Sequence, residues 1–478
     1  MKQHFIDNRP VPGNSGEAIP VIDPSTGQEY DSIPRGNAAD IDLAVRAARR
    51  AYDEGAWGQL TAAERGRLLL KLSVKVLDHA DELTEIESRD CGKPTRQARA
   101  DVTAVARYFE YYGGAADKLH GETIPFLEGY QVLIVREPRG VAGHIIPWNY
   151  PAQMFGRTIA AALAAGNTTV LKPAEEACLS IIRLTELAEE VGIPAGVLNV
   201  VTGYGEEAGA ALSAHKGVDF LSFTGSPEVG TLIQKAAADN HVPCVLELGG
   251  KSPQIVFDDA DVEKALPVIV SAIIQNTGQT CSAGSRVLIQ RSIYEEFVAA
   301  LAKRINTVRV GSHDADLDCG PVISAVQCER VKGFLERAHA DGITIIGQGK
   351  LDASAVSSGF YVTPTLLGPV EETHELAQDE VFGPVLVAIP FDDEEDAIRI
   401  ANGTDFGLIA GVWSENGGRQ IRMAKKLRVG QVYINGYGAG GGIELPFGGF
   451  KRSGHGREKG FEALREYTVA KTIVINHK

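Results

Sequence analysis

The sequence predicts an α/β fold in which parallel sheets are covered by helices, and three observations lead to this prediction. The chain has 478 residues, of which 44% are hydrophobic, and this is enough for two or three domain cores rather than one. From 140 to about 248, short apolar stretches alternate with amphipathic ones, which is the rhythm of strand, helix and strand. A second region of the same kind runs from 254 to about 434.

The amino-acid composition and the net charge exclude some classes of binding partner. Lys and Arg total 47 against 62 Asp and Glu, a net charge of -15, so a basic face for nucleic acid or an anionic membrane is not expected. The first ten residues are polar, and the longest apolar run, 265–274, has about half of the roughly 20 residues that a membrane span needs. We expect a cytoplasmic protein that binds neither nucleic acid nor membranes.

The six cysteines are scattered through the chain, without CxxC pairs and without histidines nearby. This distribution fits neither a disulfide framework nor a structural zinc site. We therefore expect free thiols and no bound metal.

The first part of the chain is expected to be helical. After a polar lead that is rich in turn signals, helices are predicted over 40–54, 61–90 and 95–118. The second is the clearest, because Thr61 and Glu64 form a capping box and Gly92-Lys93-Pro94 can end the helix.

Extended segments follow. Residues 123–135 alternate in the way of a projecting hairpin, and a last extended segment covers 467–475. Between them, the first α/β region is predicted to hold strands at 141–146, 168–171, 197–201, 220–223 and 244–248. The second is predicted to hold strands near 254–257, 287–290, 343–346 and 385–389, and a glycine-rich run at 436–442 follows it.

Two glycine-rich turns after predicted strands are candidate phosphate sites, because the first N–H groups of a helix attract anions. The turn at 203–209 has the spacing GxGxxxG, which a plain turn explains equally well. The turn at 223–230 places Ser226 at a helix N-cap, Pro227 at the first helical position and Glu228 in the first turn. Helix capping alone would also explain these residues. No Walker A motif and no GxSxG nucleophile motif is present.

Three residues are candidate catalytic residues. Cys281 lies among small and polar neighbours in GQTCSAGSR, as an accessible nucleophile would, although a buried inert cysteine is the simpler alternative. Asn149 follows a predicted strand, where it is either a turn residue or an oxyanion donor. Glu247 lies inside an apolar strand, where it is either paired, with Lys251 as a possible partner, or a general base of raised pKa.

Taken together, seven stretches resemble the signatures of the aldehyde dehydrogenase superfamily, in the NAD(P)-dependent branch that does not acylate coenzyme A. They occur in the family's order, and the resemblance covers essentially the whole chain. The stretches are PWNYP (147–151), LKPAE (171–175), FTGSPEVG (223–230), LELGGKSP (246–253), GQTCSAGSR (278–286), EVFGPV (380–385) and PFGGFKRSGHGRE (446–458).

The resemblance implies roles for individual residues. Cys281 would attack the aldehyde, the Asn149 amide and the Cys281 N–H would stabilise the oxyanion, and Glu247 would be the general base. Glu175 would accept hydrogen bonds from a free ribose 2′-hydroxyl, which favours NAD over NADP. The implied cofactor-binding residues are Pro147, Trp148, Lys172, Glu175, Gly205, Gly209, Phe223, Thr224, Gly225, Ser226, Val229, Leu248, Glu380 and Phe382.

The resemblance also implies three domains and a homodimer or homotetramer. Residues 1–117 and 139–249 would form a Rossmann-like cofactor domain, and 250–452 an α/β catalytic domain. Residues 118–138 and 465–478 would form a small β domain for oligomerisation, in which strand edges find partners.

The substrate channel departs from the family pattern. Arg157 and Thr158 stand where many members have tryptophan and lysine, and Tyr150, Met154 and Arg157 are at positions that face the aldehyde in relatives. We expect a medium-sized or aromatic aldehyde, with a carboxylated semialdehyde as the alternative if Arg157 binds the carboxylate. Arg157 is equally well explained as a structural residue, paired to a backbone carbonyl or to an acidic side chain at a subunit interface.

Two rival functions use the same residues. A Cys-dependent acyl transferase or a CoA-acylating semialdehyde dehydrogenase would also need Cys281, but CoA-acylating relatives typically lack a carboxylate at the position of Glu247. A scaffold protein on the same fold would have little reason to keep Cys281, Glu247 and Asn149 together.

Overall fold

The computed structural model describes residues 1–438 and 442–478, so part of the glycine-rich run predicted at 436–442 lies outside the described residues. The helices are α1 (Ala38–Asp53), α2 (Ala62–Asp78), α3 (Ala80–Cys91), α4 (Thr95–Ala115), α5 (Pro151–Ala164), α6 (Leu179–Glu190), α7 (Ala210–Ser213), α8 (Pro227–Asp239), α9 (Val262–Ile274), α10 (Tyr294–Ile305), α11 (Ala325–Ala340), α12 (Glu375–Gln378), α13 (Glu394–Asn402), α14 (Gly417–Lys426) and α15 (Gly460–Glu466).

The strands, in chain order, are β1 (His4–Ile6), β2 (Arg9–Val11), β3 (Ala18–Asp23), β4 (Gln28–Pro34), β5 (Glu122–Ile124), β6 (Tyr130–Pro138), β7 (Val141–Ile146), β8 (Thr168–Pro173), β9 (Leu198–Val200), β10 (Phe220–Thr224), β11 (Cys244–Glu247), β12 (Pro253–Val256), β13 (Arg286–Gln290), β14 (Arg309–Val310), β15 (Ile345–Gln348), β16 (Lys350–Leu351), β17 (Thr365–Leu367), β18 (Val385–Phe391), β19 (Phe406–Gly407), β20 (Ile409–Trp413), β21 (Gln431–Ile434), β22 (Phe450–Lys451), β23 (Gly454–His455) and β24 (Thr468–Asn476).

Two large sheets organise these elements, and they confirm the α/β prediction. The first has eight strands in the order β2-β1-β9-β8-β7-β10-β11-β23, and its central pairs from β9 to β11 are parallel. The second has seven strands in the order β15-β17-β18-β13-β12-β20-β21, all parallel except for the pairing of β15 with β17. Strands β7 and β8 are buried along their whole length, as expected for a parallel sheet with both faces covered.

Helix α5 lies at the centre of the larger core, and its sequence explains why. Its 14 residues include many alanines, which let neighbouring elements approach closely. It packs mainly against α4, and its first residues follow directly on the end of β7. The position of α5 is therefore fixed by the core, and with it the positions of the polar side chains that it carries into the site.

A third sheet has the strand order β24-β6-β5. Strand β24 pairs with β6 over nine residue pairs, from Thr468 opposite Pro138 to Asn476 opposite Tyr130. The hairpin predicted at 123–135 and the extended tail predicted at 467–475 thus form one sheet. Most of β24 is exposed, including Ile473 and Ile475. The division into three domains and the oligomerising role of this sheet stay predictions.

Three details of the predicted elements were wrong. The helix predicted at 61–90 is two helices, α2 and α3, because His79 has non-helical backbone angles (φ -108°, ψ 19°) and interrupts the hydrogen bonding. The polar lead contains the four strands β1 to β4, which its polar residues and turn signals concealed. The strands β14, β16, β17, β19, β20 and β21 were missed in the second region.

Within the part of the chain that the structure describes, no helix combines the length and the apolar character that crossing a membrane requires. The cytoplasmic location stays a prediction from the sequence.

Candidate functional site

A cleft of about 710 Å³ lies where neighbouring parallel strands of the first sheet end. Strand β7 leads into Trp148 and Asn149, β10 leads into Gly225 and Ser226, and β11 ends at Glu247, and all five residues line the cleft. The carboxyl ends of parallel strands are where ligands bind in open α/β sheets. The opposite wall comes from the second region of the chain.

The cleft brings together ten of the residues predicted from the sequence: Pro147, Trp148, Asn149, Thr224, Gly225, Ser226, Glu247, Cys281, Glu380 and Phe382. The other predicted residues are not part of its lining: Lys172, Glu175, Gly205, Gly209, Phe223, Val229, Leu248, Tyr150, Met154 and Arg157.

Cys281 is half-buried and packs against an apolar and aromatic cluster. The members of this cluster include Leu408, Phe447, Tyr433 and Tyr437. Burial raises the pKa of Cys281 to about 12, and the Arg157 guanidinium opposes that rise only in part. At neutral pH the thiol is therefore protonated, and it needs a base before it can act as a nucleophile.

A strained turn carries the chain into this cysteine. Asn276, Thr277 and Gly278 all have left-handed backbone angles, with φ of 47°, 55° and 74°. Thr277 donates a hydrogen bond to the Gly320 carbonyl (2.9 Å), and a Cβ on Gly278 would lie 2.2 Å from the Gly383 carbonyl. Such strain persists only where the surroundings hold it, and it is concentrated at functional sites.

Asn149 is 4% exposed, and both its backbone and its side chain are held. Its side-chain Nδ2 donates to the carbonyl oxygen of Gln279 (2.9 Å), and its own carbonyl accepts from Asn276 Nδ2 (2.8 Å). The amide nitrogen has two N–H groups, and the bond to Gln279 uses one. The other can serve an oxyanion without any change of these contacts. Gln279 and Asn276 were missed in the sequence, where nothing but their closeness to Cys281 marks them.

Lys93 supports Asn149 from the protein interior. Its Nζ is fully buried and contacts Asp101 Oδ2 (2.6 Å), the Asn149 carbonyl (3.0 Å) and Glu87 Oε1 (3.3 Å). It also lies 4.4 Å from the centre of the Tyr150 ring. The sequence indicated only a helix end at Gly92-Lys93-Pro94, because Glu87 and Asp101 belong to the helices on either side of that motif and meet Lys93 only when the two helices pack. Lys93 is therefore a contact of the site that sequence reasoning missed.

Glu247 ends β11 and is 2% exposed. Neither of its carboxylate oxygens has a hydrogen-bond partner in the described residues, and its ion-pair contact is Arg157 Nη2 at 3.6 Å. Burial raises the pKa of Glu247 above its usual range, and Arg157 works against that rise. The suggested pairing with Lys251 was wrong. Lys251 is itself buried, and burial lowers its pKa to about 7.

Arg157 is 4% exposed. Its Nε forms an ion pair with Glu458, and its guanidinium lies 4.5 Å from the centre of the Phe447 ring. Arg157 therefore pairs with an acidic side chain, which is one of the roles that the sequence left open. This partner belongs to the same chain rather than to a subunit interface. The sequence motif GHGRE contains Glu458, but no spacing rule links it to α5.

The other two residues expected at the substrate lie in the protein interior. The Tyr150 hydroxyl is 2.7 Å from Thr280 Oγ1, next to the cysteine. Met154 is 3% exposed and belongs to the large core cluster around α5.

The cofactor side of the cleft has both anion-binding and hydroxyl-binding groups. Ser226 caps the 13-residue helix α8 by accepting from the Val229 N–H (3.3 Å). Glu380 Oε1 accepts from the Gly250 N–H (2.9 Å), and burial raises the pKa of Glu380 to about 7. A Cβ on Gly249 would lie 2.2 Å from this carboxylate, so only glycine allows the approach.

Two aromatic rings lie on that side of the cleft, and a salt bridge predicted to bind the cofactor lies outside the cleft lining. Trp148 and Phe382 meet edge to face, with ring centres 5.4 Å apart. Lys172 Nζ and Glu175 Oε2 are 2.8 Å apart, and a Cβ on Gly209 would be 3.9 Å from the Lys172 stem. Gln327 donates to the Phe382 carbonyl (2.7 Å) and was not identified from the sequence.

These residues fit a dinucleotide. The cleft volume is in the range of small-molecule sites, and the N-terminus of α8 offers N–H groups to a pyrophosphate. The Thr224 hydroxyl is buried at the cleft without a hydrogen-bond partner in the described chain, as expected where a ligand would supply one. The Glu380 carboxylate in the cleft lining can accept hydrogen bonds from hydroxyl groups of such a ligand.

Comparison with known proteins is consistent with this geometry. Residues 11–473 match the model of the aldehyde dehydrogenase family. A crystal structure of a provisionally named aldehyde dehydrogenase from Burkholderia cenocepacia is 61% identical, with full coverage of both chains and a TM-score of 0.99. An aldehyde dehydrogenase from Bacillus cereus, solved as an NAD+ complex, is 40% identical, with 100% and 97% coverage and a TM-score of 0.97. A mitochondrial benzaldehyde dehydrogenase from Antirrhinum majus is 41% identical over 98% of this chain and 88% of its own.

Replacing Lys93 tests whether the buried cluster beneath Asn149 is integral to the fold. Lys93→Met leaves Asp101 and Glu87 buried without their cation, and breaking such a pair costs about 3 to 5 kcal/mol. We expect urea unfolding to show a loss of this size. Lys75→Met is the control, since Lys75 and its partner Glu190 are 30% and 35% exposed, and such pairs contribute about 1 kcal/mol or less. Equal losses in the two variants would contradict the assignment.

Proposed function

The chain belongs to the aldehyde dehydrogenase family and is an NAD(P)-dependent aldehyde dehydrogenase, and we propose that it oxidises an aldehyde to the carboxylic acid through a thioester on Cys281. The observation that carries this proposal is that Cys281, Asn149 and Glu247 line one cleft. A nucleophile, an oxyanion donor and a base are the three groups that the reaction needs.

The first step is the addition of sulfur to the aldehyde. Glu247 accepts the thiol proton, since the high pKa of Cys281 leaves little thiolate at neutral pH. The thiolate attacks the carbonyl carbon, and the electron pair of the carbonyl bond moves to oxygen. The free N–H of the Asn149 amide and the backbone N–H of Cys281 donate hydrogen bonds to that oxyanion.

Oxidation and hydrolysis complete the reaction. Bound NAD supplies the acceptor for the hydride that leaves the substrate carbon, and the thioester remains on Cys281. Glu247 first releases the thiol proton to solvent, and the ionised carboxylate then accepts a proton from water as the water oxygen attacks the thioester carbon. Cys281 leaves with the electron pair of the carbon–sulfur bond and regains a proton. Because Glu247 can activate water in this way, hydrolysis is favoured over acyl transfer to coenzyme A.

Two variants test these roles. We expect Cys281→Ala to abolish NADH formation, because no other group supplies the nucleophile. Glu247→Gln should keep a slow activity that recovers in part at high pH, where free hydroxide can attack the thioester. NADH formation with acetaldehyde, followed from pH 6 to about 10, measures both. Cys244→Ala is the matched control, because Cys244 is also a half-buried thiol and should leave turnover intact. Substantial NADH formation by Cys281→Ala would refute the nucleophile.

The proposed cofactor preference is for NAD. Glu175 next to Lys172 can accept hydrogen bonds from a ribose 2′-hydroxyl, whereas its charge would repel a 2′-phosphate. Lys172 limits the discrimination, because its charge attracts the same phosphate. We expect kcat/KM for NAD to exceed that for NADP by about tenfold, or about 1.4 kcal/mol. The ratio should fall in Glu175→Gln and persist in the control Glu186→Gln, because Glu186 pairs with Arg183 rather than with Lys172. Equal kcat/KM values for the two cofactors in the parent would contradict this preference.

For the substrate we propose a medium-sized or aromatic aldehyde. The aromatic cluster of Phe447, Tyr433 and Tyr437 packs near Cys281, and aromatic rings suit an aromatic guest. A 41% identical relative is a benzaldehyde dehydrogenase. The alternative, a carboxylated semialdehyde, would need a free guanidinium, whereas Arg157 is in ion pairs with Glu458 and Glu247.

The substrate proposal is tested with benzaldehyde and succinic semialdehyde. We expect kcat/KM to be higher for benzaldehyde, and Arg157→Ala to change the values for the two aldehydes by similar factors. A loss of about tenfold to a hundredfold confined to the semialdehyde, equal to the 1.5 to 3 kcal/mol of a hydrogen bond to a charged group, would instead make Arg157 a substrate ligand.

The proposed assembly is a homodimer or homotetramer built through the sheet β24-β6-β5. Its exposed apolar side chains, which include Phe126, Leu127, Val474 and Ile475, support this proposal because exposed apolar patches commonly mark interaction sites.

A further inference from the structure

Three buried charged side chains meet behind the cleft, and the aldehyde chemistry described above uses only one of them. Arg157, Glu247 and Glu458 are 4%, 2% and 2% exposed. Arg157 pairs with Glu458 through Nε, and its Nη2 is 3.6 Å from Glu247 Oε2. One cation therefore serves two carboxylates, and one of these is the proposed general base.

The second carboxylate is fixed on its other side. Ser222 Oγ on β10 donates to Glu458 Oε1 (2.8 Å), and the Glu458 N–H and carbonyl both pair with Phe447. The Phe447 ring also lies under the Arg157 guanidinium. Glu458 is thus held in place by Ser222 and by the backbone, and it holds Arg157 in turn.

The contact of Arg157 with Glu247 is the longer of its two ion pairs. Both Glu247 oxygens and Arg157 Nη2 have no hydrogen-bond partner among residues 1–438 and 442–478. An ion pair at 3.6 Å without a hydrogen bond attracts the carboxylate without fixing an oxygen atom. This suits a base, because each oxygen stays free to accept and return a proton.

Other charged groups face the same carboxylate. Arg457 and Lys459 on the segment around Glu458 favour the ionised form of Glu247, and Glu458 disfavours it. Across the cluster, Arg157 is also faced by Tyr108 of α4 and by Cys281. Without Arg157, Glu247 and Glu458 would be two buried carboxylates that repel each other, and such a pair resists double ionisation.

Resting on the proposed function, we propose that Arg157 is a positioning residue that keeps the general base Glu247 ionised near neutral pH by balancing the charge of Glu458. In thioester hydrolysis, the water proton passes to Glu247 and then to the sulfur of Cys281, which leaves with its electron pair. Glu247 is then ionised again, and Arg157 keeps its own proton throughout.

The test uses p-nitrophenyl acetate, an activated ester that acylates Cys281 without any cofactor and thus isolates deacylation. The steady-state rate after the burst is measured from pH 5 to about 10. In Arg157→Met, loss of the cation makes Glu247 harder to ionise. In the plot of this rate against pH, the acidic limb is the part in which the rate rises with pH. We expect this limb to move to higher pH by about one unit or more. The rate at pH 7 should then be about tenfold lower and should recover at high pH.

Glu458→Gln should move the acidic limb of the pH–rate profile in the opposite direction. Removing the repelling charge leaves Arg157 to Glu247 alone, so we expect the acidic limb to move down by up to about one pH unit. Arg157→Lys keeps the charge and should stay closer to the parent than Arg157→Met. The control Arg65→Met removes a partly buried arginine that donates to a backbone carbonyl and should not move the limb. If Arg157 had only a structural role, Arg157→Met and Glu458→Gln would not move the acidic limb in opposite directions.

An unchanged acidic limb in Arg157→Met, or an unchanged or raised limb in Glu458→Gln, would overturn the proposal. If Arg157→Met does not fold, Glu458→Gln decides by itself in the same way. Failure of the proposed function is distinguishable, because the parent would then give no NADH with any aldehyde, and Cys281→Ala would retain the ester burst. Aldehyde oxidation by the parent with unchanged limbs would refute only the role of Arg157.

Discussion

Burial of the reactive groups is the constraint on which the rest of this site depends. The same low-dielectric surroundings that exclude water raise the pKa of Cys281 and of Glu247, so neither group is ionised without help. A buried carboxyl of raised pKa is a stronger base once it is ionised, and this matches the weakly acidic thiol that it deprotonates in the proposed mechanism. The charges placed around the pair therefore decide at which pH the chemistry runs. Arg157, whose Nη2 lies 3.6 Å from Glu247 Oε2, is one of these charges.

Because the reactive groups are buried, polar side chains of the protein rather than water hold the backbone around them. The backbone at Asn149 is held by the buried ammonium of Lys93 and by the amide of Asn276, and Asn276 belongs to the left-handed turn that leads to Cys281. The proposed oxyanion donor and the proposed nucleophile are thus tied to one another through the side chain of Asn276 rather than through the cleft itself. Preorganised donors of this kind need no rearrangement when charge develops on the substrate.

Sequence reasoning predicted the parts of this site that local chemistry defines. The two α/β regions followed from alternating apolar stretches, and Ser226 at the start of α8 followed from capping preferences. What it missed depends on contacts between separate secondary-structure elements. Lys93 meets Asp101 across a helix junction, and Arg157 meets Glu458 although the two are far apart in the chain. No periodicity or spacing contains such a pairing, because it arises only when helices and strands pack together.

The position of Arg157 also limits what substrate recognition can use. A guanidinium that binds a substrate carboxylate has to leave or share its existing partners, and here leaving them would expose Glu458 and Glu247 to each other in a buried site. Breaking a buried ion pair costs several kcal/mol, more than one charged hydrogen bond of about 1.5 to 3 kcal/mol returns. The balance of these energies favours Arg157 staying with the protein carboxylates. An uncharged aldehyde in the aromatic cluster beside Cys281 makes no such demand.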